Sequence, residues 1–583
     1  MKEFNKLLII LLCTSLLLSI FVGCGSSNAD SEPAHADSTA VSAAEVSSDE
    51  SAPAEELETP LTVGETVSEE TVPEEEPETP SSVEETVPEE PEIDAEPVEL
   101  DILMAQPPML PCPYEEMGAI VTGMEKTNVI AHIVSLDQDS YGEKLSISMA
   151  AGDMADIVAG PEMYYSGGIE ALIEDEICID LAPYFDTLLS DFNKNLYSTD
   201  ADYAAAITSD TGKVVSIATL ECEYSGGTVI RKDLLDQLGM DVPETYDQLD
   251  EVLYAFKDTF GLQNTVLLTN TFTTDGGFLC GGLGAYTYYM NGSTDIPWQI
   301  DDNGKAVASI NTEGYKDWIT MLNRWWEDGI LGSDCLSVRN SMEQNNIIYR
   351  GDVGFWVGRR DTFGQAAMEL AVEGFDAIPI KDITKTGTET VPYGFAGRTA
   401  SNNGFAVTTS CETPEAAIRF INWFFSDDGI IATNYGEEGY TFEYDEDHNP
   451  VFTDVINNNP DYTAQMAVFI YLCFHDWPSY YVPEGVSMIF TVQKDFDSQE
   501  VWPSNHSNEK KYYGKLTIEE AQSYSEMIGD IHTYITETTS SFIVGDKDLS
   551  EWDAFIARLD ELGLGQITEM KQAAYDRYIA RVA

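Results

Sequence analysis

The chain has 583 residues, with 29 Lys and Arg against 103 Asp and Glu, a formal charge of −74. That balance excludes a protein whose main partner is nucleic acid, because neutralising phosphates needs clustered basic residues. It also argues against docking on an anionic bilayer through Lys and Arg. Hydrophobic residues at 43% and aromatics at 11% suffice to build cores over most of the chain, whose length suits two or three domains.

In chain order, Lys2 and Lys6 precede Leu7 to Val22, an uncharged run of 16 residues and the one long apolar stretch of the sequence. It is shorter than the ~20 residues of a comfortable membrane span. It ends in Phe21-Val22-Gly23-Cys24-Gly25. A small residue before a Cys, directly after an apolar run, resembles the bacterial lipoprotein cleavage box, although Phe21 stands where that box usually has Leu. The resemblance implies a signal peptide over 1–23 and a diacylglycerol on the Cys24 thiol. Acyl chains contribute ~0.8 kcal/mol per buried CH2, so two or three would hold the chain on a membrane. An ordinary secretory signal or a single anchoring helix is the alternative.

Residues 25–97 contain 23 Asp and Glu and no Lys or Arg. Glu69-Glu70-Thr71-Val72-Pro73-Glu74-Glu75 recurs as Glu84-Glu85-Thr86-Val87-Pro88-Glu89-Glu90. A Pro-rich repeat of like charges cannot bury enough surface to offset its ordering entropy. Residues 24–97 therefore read as the lipidated Cys and a disordered acidic tether, about 50 Å long as a flexible chain. The remainder, 98–583, carries 27 basic against 79 acidic side chains, a net −52. That makes a strongly anionic ligand less favoured unless local basic residues override the mean.

Val98 to Met104 alternates apolar and acidic residues and predicts a strand. Tyr114 to Lys126 follows as a helix and Val129 to Val134 as a second strand. Ser140-Tyr141-Gly142-Glu143 has the capping-box pattern, opening a helix that Gly152 would stop. Asp156-Ile157-Val158 is a third short strand. Strand, helix, strand, helix, strand predicts a mostly parallel sheet with covering helices. Further on, Thr245 with Gln248 caps a helix through Phe256. Thr413-Pro414 opens another that turns Ile418, Ile421, Phe424 and Phe425 inward. Asp301-Asp302-Asn303-Gly304 and the run Asp445 to Pro450 lack EF-hand spacing and read as solvated turns. Cys112, Cys178, Cys222, Cys280, Cys335, Cys411 and Cys473 are widely spaced without a CxxC pair, so they predict buried free thiols rather than zinc ligands; one or two disulfides are the alternative. No metal or cofactor is expected.

Several of these segments together resemble a family 1 extracellular solute-binding lipoprotein, the receptor of a carbohydrate-type ABC importer. They are Glu125-Lys126-Thr127-Asn128-Val129, Asp139 to Leu145, Ala151 to Ile157, Asp180-Leu181-Ala182-Pro183-Tyr184, Ile230 to Gly239 with Val242-Pro243-Glu244-Thr245, Thr413 to Ala417, Phe424 to Gly429, Asn434 to Gly439, and Phe542 to Lys547 with Ser550-Glu551-Trp552 and Ala574 to Tyr578. The last group is similar to the branch labelled aldouronate or complex-sugar transport. The resemblance implies an α/β, two-lobe, periplasmic-binding-protein-like (type II) fold with discontinuous lobes. Lobe one is placed at about 98–224 and 397–440, lobe two at about 225–396 and 441–583. The crossings are expected near Leu220–Ile230, where Gly226-Gly227 interrupts the pattern, and near Phe395–Val407. The implied protein is a monomeric receptor on the outer face of the cytoplasmic membrane, handing an oligosaccharide to permease subunits and doing no chemistry.

A sugar site needs flat aromatics to stack and polar forks to bond hydroxyls. Candidates in turn-rich context are Tyr164, Tyr165, Trp298, Trp356, Tyr393 and Trp477. Arg359, Arg360 and Asp361 follow the strand that carries Trp356. Trp318, Trp325, Trp326 and Trp423 fit helical faces and belong to the core. Two rival readings stay open: a peptide receptor of the same fold, and a surface glycosidase using two carboxylates. No GxSxG, HExxH or P-loop motif supports an enzyme.

Overall fold

The structure is a computed structural model describing residues 96–106, 112–165, 167–198, 207–221, 226–268, 277–286, 296–338, 341–391, 399–400, 404–473, 477–482, 492–507, 512 and 514–582. The signal peptide, Cys24, the tether to residue 95, Cys222 and Tyr393 lie outside the described residues.

β1 (Val98–Gln106) buries Leu100, Ile102, Leu103 and Met104. α1 (Gly118–Thr127) ends at Asn128 in the left-handed region, and β2 (Val129–Asp137) then pairs in parallel with the whole of β1. α2 (Gln138–Ala151) starts before the predicted box: its cap is Asp137, whose carboxylate accepts the Ser140 amide at 3.0 Å. Asp offers the same acceptor as Ser, and here it stands nearer the strand. The helix stops at Gly152, at φ 67°. β3 (Ile157–Ala159) is parallel to β1. α3 (Gly168–Glu174) and β4 (Ser216–Ile217) follow, and β5 (Leu220–Glu221) begins the first crossing.

β6 (Gly226–Arg231) opens lobe two. Next comes α4 (Tyr246–Phe260), whose Thr245–Gln248 capping box is complete and which runs four residues past Phe256 to Gly261. β7 (Asn264–Leu267), the hairpin β8 (Trp298–Ile300) and β9 (Ala306–Ala308), α5 (Glu313–Glu327), β10 (Val353–Arg359) and β11 (Ala377–Pro379) continue it. β12 (Thr399–Ala400) crosses back, β13 (Phe405–Val407) rejoins lobe one, and α6 (Pro414–Trp423) and α7 (Ala464–Leu472) cover it. The long α8 (Ile518–Ile543), then α9 (Trp552–Leu562) and α10 (Leu564–Val582), pack on lobe two.

The sheet of lobe one runs β2-β1-β3-β13-β4, with β13 antiparallel to β3 and β4. β13 re-enters from the other lobe, so it leaves the junction just where β3 arrives, Phe405 opposite Ala159. The sheet of lobe two runs β11-β6-β10-β7, and only β10 and β7 are parallel. The expected mostly parallel arrangement thus describes β1 to β3 alone. Strand direction elsewhere follows from where the chain enters each lobe.

The junction is a narrow ribbon. Leu220 and Glu221 pair antiparallel with Ala400 and Thr399. On its other side Leu220 donates to the Ser479 carbonyl at 2.9 Å and accepts the Tyr481 amide at 3.0 Å. Just beyond the first crossing, Gly227 lies under the Trp502 indole with no room for a Cβ, and Trp502 Nε1 donates to the Thr228 carbonyl at 3.1 Å. The segment 477–482 therefore marks a third passage at the junction, whereas the bounds expected from the sequence place all of 441–583 in lobe two. Phe442, Phe452, Val468, Leu472 and Tyr481 form a small core beside lobe one. α7 rests on α1, where the Gly118 backbone meets the Tyr471 carbonyl so closely that no side chain fits. This contact joins residues 353 apart in sequence, which no local pattern announces.

Each lobe has its own core. Ile120, Leu145, Val158, Phe192, Phe405, Phe424 and Trp477 belong to the first, and Leu249, Phe256, Val266, Trp318, Trp325, Phe355, Ile531 and Phe542 to the second. Burying each such side chain contributes about 1.5–3 kcal/mol. Cys112, Cys178, Cys280, Cys335, Cys411 and Cys473 are free thiols, all buried except the half-buried Cys112. Asp301 and Asp445 each accept amides of their own turn: Asp301 from Asn303 and Lys305 at 2.8 Å, and Asp445 from Asp447 and Asn449 at 3.0 and 2.7 Å. Those bonds hold both carboxyls below the usual range.

Candidate functional site

Between the lobes lies a cavity of about 380 Å³, within the ~300–1,000 Å³ usual for small-molecule sites. Lobe one supplies Glu162, Asp210 and Ser216, and lobe two supplies Lys515, Tyr524 and Lys571.

The lobe-one wall follows from how β3 ends. Gly160, at φ 54°, turns the chain, and a single helical turn over Pro161–Met163 points Glu162 at the cavity. The hydroxyl of Ser216 on β4 donates to Glu162 Oε2 at 2.7 Å. Burial pushes the Glu162 carboxyl up, against the opposing pull of Ser216. Glu170 on α3 pairs with Lys213 at 3.2 Å and accepts the Thr211 hydroxyl. Burial works against its charge, but these partners prevail and its carboxyl is held low.

The lobe-two wall comes from the start of α8 and from α10. Lys515 precedes the Thr517–Glu520 capping box of α8 and is partly buried. That burial pulls its amine below the ordinary lysine value. Lys571 is 6% exposed, and its ammonium stands over the rings of Tyr524, Tyr512 and Trp298 at 4.7, 5.6 and 5.7 Å. Cation–π contacts of this kind stabilise a charge away from water.

One turn and more along α10, two arginines reach across the cleft. Arg577 Nε donates to Asp210 at 2.6 Å, while its other nitrogens hold Glu520 at 2.6 and 3.1 Å and the Lys515 carbonyl at 3.0 Å. The bond to Glu520 leads the causes that raise the Arg577 guanidinium above its ordinary value. Arg581, on the same helix face, donates to the carbonyls of Ser209 and Thr208. The lobes are thus drawn together at this edge. Asp210 Oδ1 is buried there without a hydrogen-bond partner among the described residues.

The residues singled out from the sequence lie elsewhere. Trp356 is fully buried in lobe two, donating to Thr362 Oγ1 at 3.0 Å and packed on Phe375. Trp477, 1% exposed, sits in the lobe-one core against Phe405 and Phe424. Neither offers a face to a ligand, because both sides of the segments carrying them are covered. Trp298 is also buried, one layer behind the cavity, where it backs Lys571. Tyr164 packs edge-on to Tyr141, and Tyr165 donates to Asp175 at 2.7 Å, a bond that with burial pushes its phenol to about 12. Their loop does line the cavity, but through Glu162 and Met163.

Arg359 ends β10 opposite Gly226 at the first crossing and is exposed. Burial pulls the Arg360 guanidinium down to about 10, with Asp495 and Asp361 opposing. Asp361 accepts from Asn345 at 2.6 Å. These three sit beside the junction and are not in the cavity wall. The cavity residues went unnoticed because each is isolated in sequence. A signal did exist: in so acidic a chain, Lys571, Arg577 and Arg581 crowd into the last helix.

Residues 118–431, more than half of the chain, match the family model described as bacterial extracellular solute-binding protein. The Lipoprotein LipO of Bacillus subtilis is 25% identical over 448 residues, 71% of this chain and 80% of its own length. The fructooligosaccharide ABC transporter substrate-binding protein FusA of Streptococcus pneumoniae is 22% identical over 482 residues, 76% of this chain and 84% of its own. Among solved structures, the alginate-binding protein AlgQ2 superposes with a TM-score of 0.67 at 21% identity, over 83% of this chain and 99% of its own, a likeness of fold. With two lobes, three crossings and a cavity between them, the chain belongs to the family of bacterial extracellular solute-binding proteins.

Proposed function

We propose that this protein is the substrate-binding receptor of an ABC importer, capturing an oligosaccharide between its lobes and presenting the closed form to permease subunits. The observation that carries the reading is the cavity walled by both lobes, since a ligand touching both walls favours closure. Its chemistry suits a sugar. Tyr524 supplies an aromatic ring, and Glu162, Ser216, Lys515 and the unfilled Oδ1 of Asp210 supply hydrogen-bonding groups. FusA is named for fructooligosaccharides and AlgQ2 for alginate, which favours the same class. Binding and closure are the whole activity in this reading, with no bond made or broken.

The receptor is held on the outer face of the cytoplasmic membrane by lipid on Cys24, with the acidic segment 25–97 as spacer, and works as a monomer. Mass spectrometry of the chain purified from membranes should find Cys24 acylated at the new N-terminus.

The test of the ligand class is a thermal-shift and calorimetric screen of the protein against oligosaccharides and peptides, because a specific ligand stabilises by mass action. At least one oligosaccharide should raise the melting temperature in a saturable way. Stabilisation by peptides alone, or hydrolysis of sugars above a heat-killed control, would overturn the reading.

A further inference from the structure

The bonds that Arg577 and Arg581 send across the cleft end on one short piece of lobe one, the hairpin 208–214. Thr208 and Val214 pair antiparallel, and the Ser209 amide donates to the Lys213 carbonyl at 2.9 Å. The root is fixed in lobe one, where the Val214 amide donates to the Asp180 carboxylate at 3.1 Å and the Val214 carbonyl accepts the Leu181 amide at 2.8 Å. Toward lobe two the hairpin presents acceptors, the Asp210 carboxylate and the carbonyls of Thr208 and Ser209. A tip closed by so few backbone bonds would sample many shapes on its own. Glu170 on α3 restrains it. Its Oε1 accepts the hydroxyl of Thr211 and, at 3.3 Å, the amide of the same residue, and its Oε2 pairs with Lys213 at 3.2 Å. Glu170 borders the cavity, yet both of its oxygens are engaged by the hairpin.

The receiving side is equally prepared. Arg577 is held within lobe two by Glu520 and the Lys515 carbonyl, independently of Asp210. Joining two restrained groups costs less entropy than ordering them on contact. These bonds join protein to protein, so they favour the closed arrangement by the same factor whatever occupies the cavity. We propose that the hairpin 208–214 is a latch that sets how readily the lobes close, and that Glu170 is the positioning residue that keeps the latch in register with Arg577 and Arg581. The inference rests on the reading that closure is the binding event. It separates two properties of the receptor. The cavity walls choose among ligands, and the latch scales the affinity for all of them, because apparent affinity follows the fraction of molecules able to close.

Single-molecule energy transfer on the whole protein, without saccharide, tests the latch, with dyes on the exposed Ile147 of lobe one and the exposed Asp553 of lobe two. Glu170→Gln and Thr211→Val should each lower the closed-to-open ratio about threefold to tenfold, while Thr211→Ser, which keeps the hydroxyl, should stay within about twofold of the parent. In an Arg577→Met background the effect of Glu170→Gln should shrink to less than half on a logarithmic scale, since the two residues act through one contact. Calorimetry with nystose, xylotetraose and cellotetraose should show Glu170→Gln weakening every one of these sugars that binds by a common factor. An unchanged ratio in Glu170→Gln, even with a lower melting temperature, would mean that the carboxylate only stabilises lobe one and would overturn the proposal. So would an undiminished effect in the Arg577→Met background, or a loss confined to one sugar, which would make Glu170 a ligand contact. Failure of every saccharide in the wider screen would instead bring down the receptor reading, and the energy-transfer result would still decide the latch.

Discussion

The two sides of the cleft are built from the same ingredients and end with opposite character. Lobe one presents Glu162 and Asp210 from short turns and Glu170 from the first turn of α3. Lobe two presents Lys515, Lys571, Arg577 and Arg581 from the start of one helix and the face of another. Facing walls of opposite sign pull the lobes together. The pair Arg577–Asp210 is made across the gap, whereas Arg577–Glu520 lies wholly within lobe two. Closure therefore adds a contact to an arginine that is already held in place, which lowers the entropy cost of making it.

That contrast can be broken at several strengths. The largest effect should come from the separate cores. Trp477→Ala removes a fully buried ring from lobe one and should cost about 3–5 kcal/mol. Trp356→Ala should do the same in lobe two. Differential scanning calorimetry should show the first variant lowering the lobe-one transition and the second the lobe-two transition; equal shifts of a single transition would mean the lobes unfold as one body.

Next in size is Arg577→Met, which deletes the bonds to both lobes and should weaken binding by about 2–3 kcal/mol, or roughly 30- to 150-fold. Small-angle scattering should show a larger radius of gyration for the ligand-free variant. Asp210→Asn is smaller and more selective. It removes only the charge across the gap, so ligand release should quicken by about tenfold while the melting temperature stays near that of the parent. A fall in melting temperature equal to that of Arg577→Met would show that Asp210 acts within lobe one rather than between lobes.

The smallest effect concerns Glu162 and pH. Its carboxyl in the folded protein is raised above the ordinary 4.5 by burial. The folded state then holds a proton that the unfolded state has released, so stability falls as pH rises through the interval between the ordinary and raised values. Glu162→Gln should flatten that fall and leave the protein slightly more stable at neutral pH, measured as urea midpoints from pH 4 to 8. An unchanged slope would place the group in a more solvated setting than Ser216 and the cavity imply.

Local order was readable wherever local rules applied. Gly152 stops its helix because only a left-handed residue continues the chain there, and Thr245 with Gln248 caps α4 through bonds made within four residues. Trp318 and Trp325 are buried as the helical spacing of α5 requires. The crossing at Leu220–Ile230 showed as a glycine pair between strand-like stretches, and Gly227 does lie against Trp502. The limits of the same rules show at Trp298, Trp356 and Trp477. Turn-rich surroundings suggested exposure, yet whether a tryptophan faces a ligand or a core depends on what covers the strand from the other side.

By itself, then, the sequence determined the acidic character of the chain, the ordered motifs that mark a two-lobe receptor, the stop of α2 at Gly152 and the capping box of α4, because these depend on composition and on neighbours a few residues apart. Only the tertiary structure decided that Phe442, Phe452, Val468, Leu472 and Tyr481 pack beside lobe one, that Glu162 and Ser216 face Lys515 and Lys571, and that Arg577 meets Asp210. Those meetings join side chains separated by hundreds of residues. They are set by how three crossings fold one lobe against the other, and no periodicity along a strand or helix encodes which loop ends will come face to face.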